Sequence, residues 1–184
     1  MSEDILVFHA APTLAGIKSG SLFTCPFISR AEMTDSIRRL NLRLAPKGIR
    51  VLPLRFSDKK ALVYVYRPGG LARDLEKSEA REILHEAGYR AADADGKVIE
   101  LMRRLNAGED FPHEIGLFLS YPPEDVRGFM EKGGRDSKCV GTWKVYGDEE
   151  LARRTFSRYR RCRETYCRLH ANGSRSLEQL TVNS

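Results

Sequence analysis

One stretch constrains the fold of this chain more than any other. Between Leu151 and Arg175, the residues Ala152, Phe156, Tyr159, Cys162, Tyr166 and Leu169 follow one another at steps of 4, 3, 3, 4 and 3. That spacing keeps all six on one side of an α-helix. Arg153, Arg154, Arg158, Arg160, Arg161, Arg163 and Arg168 fill the positions between them. The chain must therefore build a long helix that buries an aromatic stripe and turns arginines to solvent. Asp148, Glu149 and Glu150 stand where a helix start favours negative charge, so the helix is predicted from there to about His170.

A helix of this kind needs a body to dock on, and the composition supplies one. The 184 residues are 41% hydrophobic and 30% charged, which suits one globular domain over residues 1–170 and a polar tail over 171–184. Leu177, Leu180 and Val182 give that tail the means to dock. A domain of this size buries roughly 70% of its unfolded surface, so no metal or disulfide is required for folding. No apolar run approaches the roughly 18 residues of a bilayer span. The start, MSEDILVFHA, is acidic where a secretory leader is basic, and a cytoplasmic protein with no membrane partner is expected.

Cys25, Cys139, Cys162 and Cys167 form no CxxC pair, so thiols without a disulfide framework are expected, and no metal site. The net charge of +6 is local. Leu151 to Arg175 holds eight arginines against the single acid Glu164, and the rest of the chain is slightly acidic. Any electrostatic argument about partners concerns that segment alone.

Along the remainder, Ile5 to Phe8 reads as a buried strand emptying into a loop at His9, and Thr13 to Pro26 as small and Gly/Ser-rich. Met33, Ile37, Leu40 and Leu44 recur at 4, 3 and 4, predicting a helix over 30–45 stopped by Pro46 and Gly48. Residues 49–56 and 61–66 are β-rich around Ser57-Asp58-Lys59-Lys60, a hairpin signal, with Pro53 pointing to an edge or a bulge. Helices are predicted over 71–77, 78–87 and 93–106, a strand over 115–119, a helix to Lys132 opened by Pro122-Pro123, and a strand over 139–146. The expected architecture is an α/β or α+β single domain: a mixed sheet of about five strands covered by helices, with the long amphipathic helix at its C-terminal end.

Several constellations carry chemistry. His9-Ala-Ala-Pro12-Thr13-Leu-Ala-Gly16-Ile-Lys18 leaves the first predicted strand through small residues, where backbone can approach a ligand and a histidine and lysine flank an anion. The same residues also suit a loop in which His9 bonds locally and Lys18 is solvated. His113-Glu114 offers an acid and a base, although neighbouring strand residues face opposite ways and Leu117 replaces the second histidine of HExxH. Trp143 and Tyr146, in Gly141-Thr-Trp-Lys-Val-Tyr-Gly147, fall on opposite faces of a strand, so at most one lines the core and the other covers a ligand or the helical layer, with core packing the better reading.

Four segments, HAAPTLAGIK, YRP, FPHEIGLFLSYPPEDVRGF and GTWKVYGD, together resemble a bacterial family known as a domain of unknown function, DUF3793-like, over nearly the whole chain. The family pattern has cysteine after the first histidine and glycine before Tyr-Pro; here Ala10 and Ser120 stand in those places. The resemblance implies a common site of His9, Pro12, Lys18, His113, Glu114, Tyr121 and Trp143, and an association with iron or redox metabolism. It names no reaction and no cofactor.

The leading expectation is a ligand-binding or regulatory protein, with His9, Pro12, Thr13, Lys18, Tyr121 and Trp143 around a site where the His9 loop meets His113 at strand ends. The first alternative is a small enzyme with His113 and Glu114 as acid and base, Lys18 for an anion and Tyr121 as donor. The second is an interaction or nucleic-acid-binding protein using Arg153, Arg154, Arg158 and Arg161 as an anion or partner surface. A small molecule or a protein is the expected partner. Nucleic acid is less favoured, because the helix aromatics belong to the buried stripe and leave no platform for base stacking.

Overall fold

The computed structural model describes residues 1–108 and 111–183. The chain divides into two compact units: Met1–Gly70 with Arg161–Ser184, and Leu71–Arg160.

The first unit opens with helix α1 (Glu3–Leu14), where the sequence predicts a strand. Ser2 caps it by accepting from the Ile5 amide, and Glu3 and Asp4 occupy its first turn. Its end is equally explicit. Gly16, at φ 70°, gives its N–H to Thr13 O while Ile17 N–H reaches Pro12 O, the paired bonds of a glycine-terminated helix. Pro12 lies in the last turn, where it removes only the bond to Phe8 O. Leu6, Val7, Ala10, Ala11 and Leu14 are fully buried, so the helix is apolar around much of its girth and shows no periodic stripe.

Strand β1 (Gly20–Pro26) follows, then α2 (Arg30–Leu44), capped by Ser29 and burying Met33, Ile37, Leu40 and Leu44 as the 4-3-4 spacing predicts. Each such burial is worth about 2 kcal/mol. Strands β2 (Arg50–Phe56) and β3 (Lys60–Tyr66) form the predicted hairpin, and the order β1-β3-β2 is antiparallel throughout. The register shifts between Pro53 and Arg55, on an edge strand, as the proline requires. The outer edge of β2 is blocked by Asn41, whose amide donates to Val51 O and accepts from Val51 N, both at 2.8 Å. Ala61, Val63 and Val65 turn one face of β3 into the core beside Phe23, Ile49 and Val51.

The chain returns to this unit at its end. After α8 (Glu149–Ala171), Ser176 caps the short α9 (Leu177–Leu180), which sinks Leu177 and Leu180 into the same core. Arg43 of α2 pairs with both Glu3 and Glu178. Its guanidinium draws the Glu178 carboxyl down to about 2, well below the ordinary carboxylate range. A depressed carboxylate stabilises the folded state fully above its unfolded value and loses that contribution as pH falls through the folded one. Amide protection of residues 177–180 is therefore expected to fall between pH about 4.5 and 2, and Glu178→Gln is expected to abolish that pH dependence in hydrogen exchange.

The second unit is largely helical: α3 (Pro68–Leu75, of which Leu71 onward belongs here), α4 (Ser78–Glu86), α5 (Ala94–Asn106), α6 (Ile115–Phe118) and α7 (Pro123–Lys132). The predicted strand over 115–119 is thus a helical turn. Gly116 accounts for this local packing, because a β-carbon there would lie 2.7 Å from Val126 and 3.0 Å from Tyr121. The predicted strand over 139–146 is instead a two-residue ribbon, β4 (Cys139–Val140) and β5 (Lys144–Val145), turning at Gly141–Trp143. A single mixed sheet of about five strands is thereby corrected to an α+β fold with a three-stranded antiparallel sheet and a separate two-stranded ribbon. Two segments expected in the sheet, 5–8 and 115–119, are helical, and the last turns back on itself.

Ser120 ends α6 at φ 57°, its N–H on Leu117 O and the Tyr121 N–H on Gly116 O. This is the same helix ending that Gly16 makes, built here on a residue with a β-carbon, which the left-handed region penalises by about 1–2 kcal/mol. The resemblance places glycine at this position. Ser120→Gly is expected to stabilise the chain by about 0.5–1 kcal/mol, strain relief exceeding the entropy glycine adds to the unfolded state. Urea denaturation checks it, and an unchanged or lower midpoint contradicts it.

Candidate functional site

The residues singled out in the sequence divide between the two units: His9, Pro12, Thr13 and Lys18 in the first, His113, Glu114, Tyr121 and Trp143 in the second. Neither histidine stands at a strand end. His9 is on α1, and His113 precedes α6, so the strand-end argument for a shared site has no counterpart in the fold.

In the second unit, the motif residues hold one another. Asp125, 3% exposed in the first turn of α7, accepts from Trp143 Nε1 at 2.6 Å and from the amides of Tyr146 and Gly147 at 2.6 and 2.7 Å. The carboxylate thereby fastens the ribbon to the helix. Tyr121 stacks on Trp143 at 4.8 Å and donates to Thr142 O at 3.2 Å, and burial pushes its phenol up to about 12. Phe156 also meets Trp143, edge-on at 4.5 Å. Trp143 and Tyr146 do not obey strand parity, since the run that carries them is a turn followed by two strand residues.

Glu114 is buried and accepts from Tyr89 Oη at 3.1 Å, while Arg104 lies 4.5 Å over the Tyr89 ring. Burial, with Glu114 beside it, raises the Tyr89 phenol well above its ordinary range. His113 is exposed, its ring edge against Phe129 at 4.9 Å, and no hydrogen bond joins it to Glu114 among the described residues. An open cleft of about 580 Å³ runs along α4 past His85, Tyr89 and Lys97, with neither His113 nor Glu114 in its lining.

In the first unit, Pro12 and Thr13 are buried, and Thr13 Oγ1 shares a 2.8 Å hydrogen bond with Ser21 Oγ. Lys18 is half-buried, and burial draws its ammonium down to about 8. Arg67, in the YRP segment and 6% exposed, was not singled out by sequence. Its guanidinium donates to Thr13 O and Leu14 O at 2.7 Å and to Val182 O at 2.8 Å, closing the end of α1 and tying the C-terminal segment to it. Ala10, where the family pattern carries cysteine, is fully buried, so a side chain there belongs to the core.

Of the sequence candidates, His9 borders a cleft. That cleft, about 450 Å³ and walled mostly by apolar atoms, lies between α1 and the last turns of α8, along Asp4, Phe8, His9, Cys167 and His170. The His9 ring stacks on Phe23 at 4.7 Å; burial and then Arg163 hold its imidazole below the usual value. Phe8 is 49% exposed, with the Arg163 guanidinium 5.1 Å from its ring centre. His170 Nε2 lies 3.3 Å from Asp4 Oδ1, and its Nδ1 is buried with no hydrogen-bond partner. Burial raises the Cys167 thiol, which disfavours a nucleophilic thiolate. Periodicity could not find this cleft, because Asp4 and Phe8 belong to α1, whose strand-like apolar run hides its register, while His170 lies in the last turn of α8.

Among the described residues, no group of three or more His, Cys, Asp or Glu side chains is placed to hold a metal ion, and no helix is long and apolar enough to cross a membrane. No disulfide joins the cysteines among the described residues.

The fold defines a two-unit α+β protein with solvent-open clefts. The chain belongs to the family described as Protein of unknown function (DUF3793), whose model matches residues 6–181. No curated protein and no solved structure matches the chain.

Proposed function

We propose that this chain is a small-molecule-binding protein whose ligand occupies the cleft between α1 and the end of α8. The observation that carries the reading is that His170, which lines a largely apolar cleft of about 450 Å³, has a buried Nδ1 with no hydrogen-bond partner, and a cleft of that volume is within the usual range for ligand sites. His170 Nε2 lies against Asp4, and the other ring nitrogen, Nδ1, is left without a protein partner, which in a neutral imidazole is an acceptor awaiting a donor. The exposed Phe8 ring supplies a flat apolar contact. A flat, mostly apolar molecule bearing one N–H or O–H donor satisfies both. Binding without covalent chemistry fits the raised Cys167 thiol. An iron or redox role, which the family resemblance implies, has no ligand set to support it among the described residues.

Indole and phenol serve as probes in ligand-observed NMR. Phe8→Ala and His170→Ala are each expected to weaken the bound probe at least tenfold, a loss of about 1.4 kcal/mol, with Tyr89→Phe in the other cleft without effect. Equal binding by all four proteins contradicts the proposal.

A further inference from the structure

Apart from Arg163, the arginines of α8 have no contact with that cleft's aromatic wall among the described residues, and they carry a second reading of their own. All seven arginines of the helix are exposed, and none of its cations is lysine. Arg153 and Arg154 are engaged by Glu149 and Glu150 one turn earlier, and Arg163 lies over Phe8. Arg158, Arg160, Arg161 and Arg168 have no acidic partner within ion-pair distance among the described residues. Because α8 is one unbroken helix, helical geometry alone sets their arrangement. Arg154, Arg158, Arg161 and Arg168 follow at 4, 3 and 7 residues and share one face, with Arg160 turned about 100° from Arg161. From Arg158 to Arg168 the row is roughly 15 Å long, at 1.5 Å per residue.

We infer that this face binds the phosphate backbone of a nucleic-acid duplex, independently of base sequence. Three features favour that occupant. The guanidinium fork matches phosphate oxygens in pairs, which lysine cannot do. A row of roughly 15 Å faces about nine phosphates of a duplex, counting both strands. The exposed residues interspersed with the arginines are Ser157, Glu164 and Thr165, and the exposed Leu151 lies beyond the row at the start of the helix, so the row has no apolar centre such as a protein interface requires and a single large apolar side chain where an interfacial membrane helix inserts several. The missing aromatic platform excludes stacking on single-stranded bases, and a duplex needs none. This inference is independent of the α1–α8 cleft.

The test is fluorescence anisotropy of the full chain with a 20-base-pair DNA duplex, the RNA duplex of the same sequence, and the single-stranded RNA, at 50 to 200 mM salt. Three or four neutralised phosphates predict a roughly 40- to 150-fold loss of duplex affinity across that range. Whichever of the two duplexes binds more tightly identifies the source of the backbone. R158Q/R161Q/R168Q keeps helix-forming side chains, and is expected to flatten the salt dependence and weaken duplex binding at least tenfold at 50 mM. Lys59→Gln with Lys60→Gln, in the exposed β2–β3 turn, is expected to change it less than twofold. The inference is overturned by no duplex binding at 50 mM salt, by salt-independent binding, or by an unaltered triple variant. It is equally overturned by single strand outcompeting both duplexes, or by capture on phosphatidylserine vesicles in place of duplex.

Discussion

Asp125→Ala is expected to be the most damaging single change in the second unit, at about 3–5 kcal/mol in urea denaturation. The carboxylate is buried and accepts three hydrogen bonds from three residues of the ribbon and its exit. Bonds to a charged acceptor are worth about 1.5–3 kcal/mol each, and truncation strands three donors, the indole N–H among them, beside a new void. Two companions separate the terms. Asp125→Asn keeps one acceptor oxygen and is expected to cost less than alanine. Trp143→Phe leaves two amide donors in place, removes one bond and little area, and is expected to cost about 1–2 kcal/mol. If Asp125→Ala leaves the midpoint within experimental scatter of the parent, the carboxylate is not the fastening described here.

Arg67→Met ranks second, at about 2–4 kcal/mol, with the loss read in the first unit. Methionine replaces the aliphatic stem and removes the donors to Thr13 O, Leu14 O and Val182 O. Those carbonyls include the last two of α1, which no intrahelical amide can satisfy and which carry the negative end of the helix dipole. Val182 N–H also bonds Leu14 O, so the C-terminal segment and the helix end open together. Hydrogen exchange is expected to show residues 177–182 losing protection before the β1-β3-β2 sheet does. Arg67→Lys retains the charge, but a single ammonium lacks the planar fork that reaches three carbonyls, and most of the loss is expected to remain. Full protection of the C-terminal segment in Arg67→Met contradicts this assignment.

How much of this was readable beforehand depended on periodicity. Met33, Ile37, Leu40 and Leu44 alternate with charges, so α2 declares its period; the arginine helix does the same, and Pro53 announces its bulge. Ile5 to Phe8 and Ile115 to Leu119 are short runs of consecutive apolar residues, and such a run has no period to separate strand from helix. For α1 the deciding signals lay at its ends, in Ser2-Glu3-Asp4 and Gly16. For α6 the deciding signal was Gly116, whose need for space shows only once Val126 and Tyr121 are placed. The candidate site suffered accordingly. His9 was selected as a loop residue and is a helix residue beside a cleft, whereas Asp4, Phe8 and His170 were passed over. Arg67 and Asp125 left no trace in spacing, because their partners are mostly main-chain atoms.

The motif residues of the second unit therefore explain stability, and the cleft beside α1 carries the functional proposal. The most direct measurement is nitrogen NMR of the histidine side chains during an indole titration. His170 Nδ1 is expected to start as an unbonded acceptor nitrogen and to move upfield as the indole N–H reaches it, with His9 shifting alongside and His85 and His113 still. Shifts confined to His85, beside the other cleft, or no shift at any histidine, contradict the account.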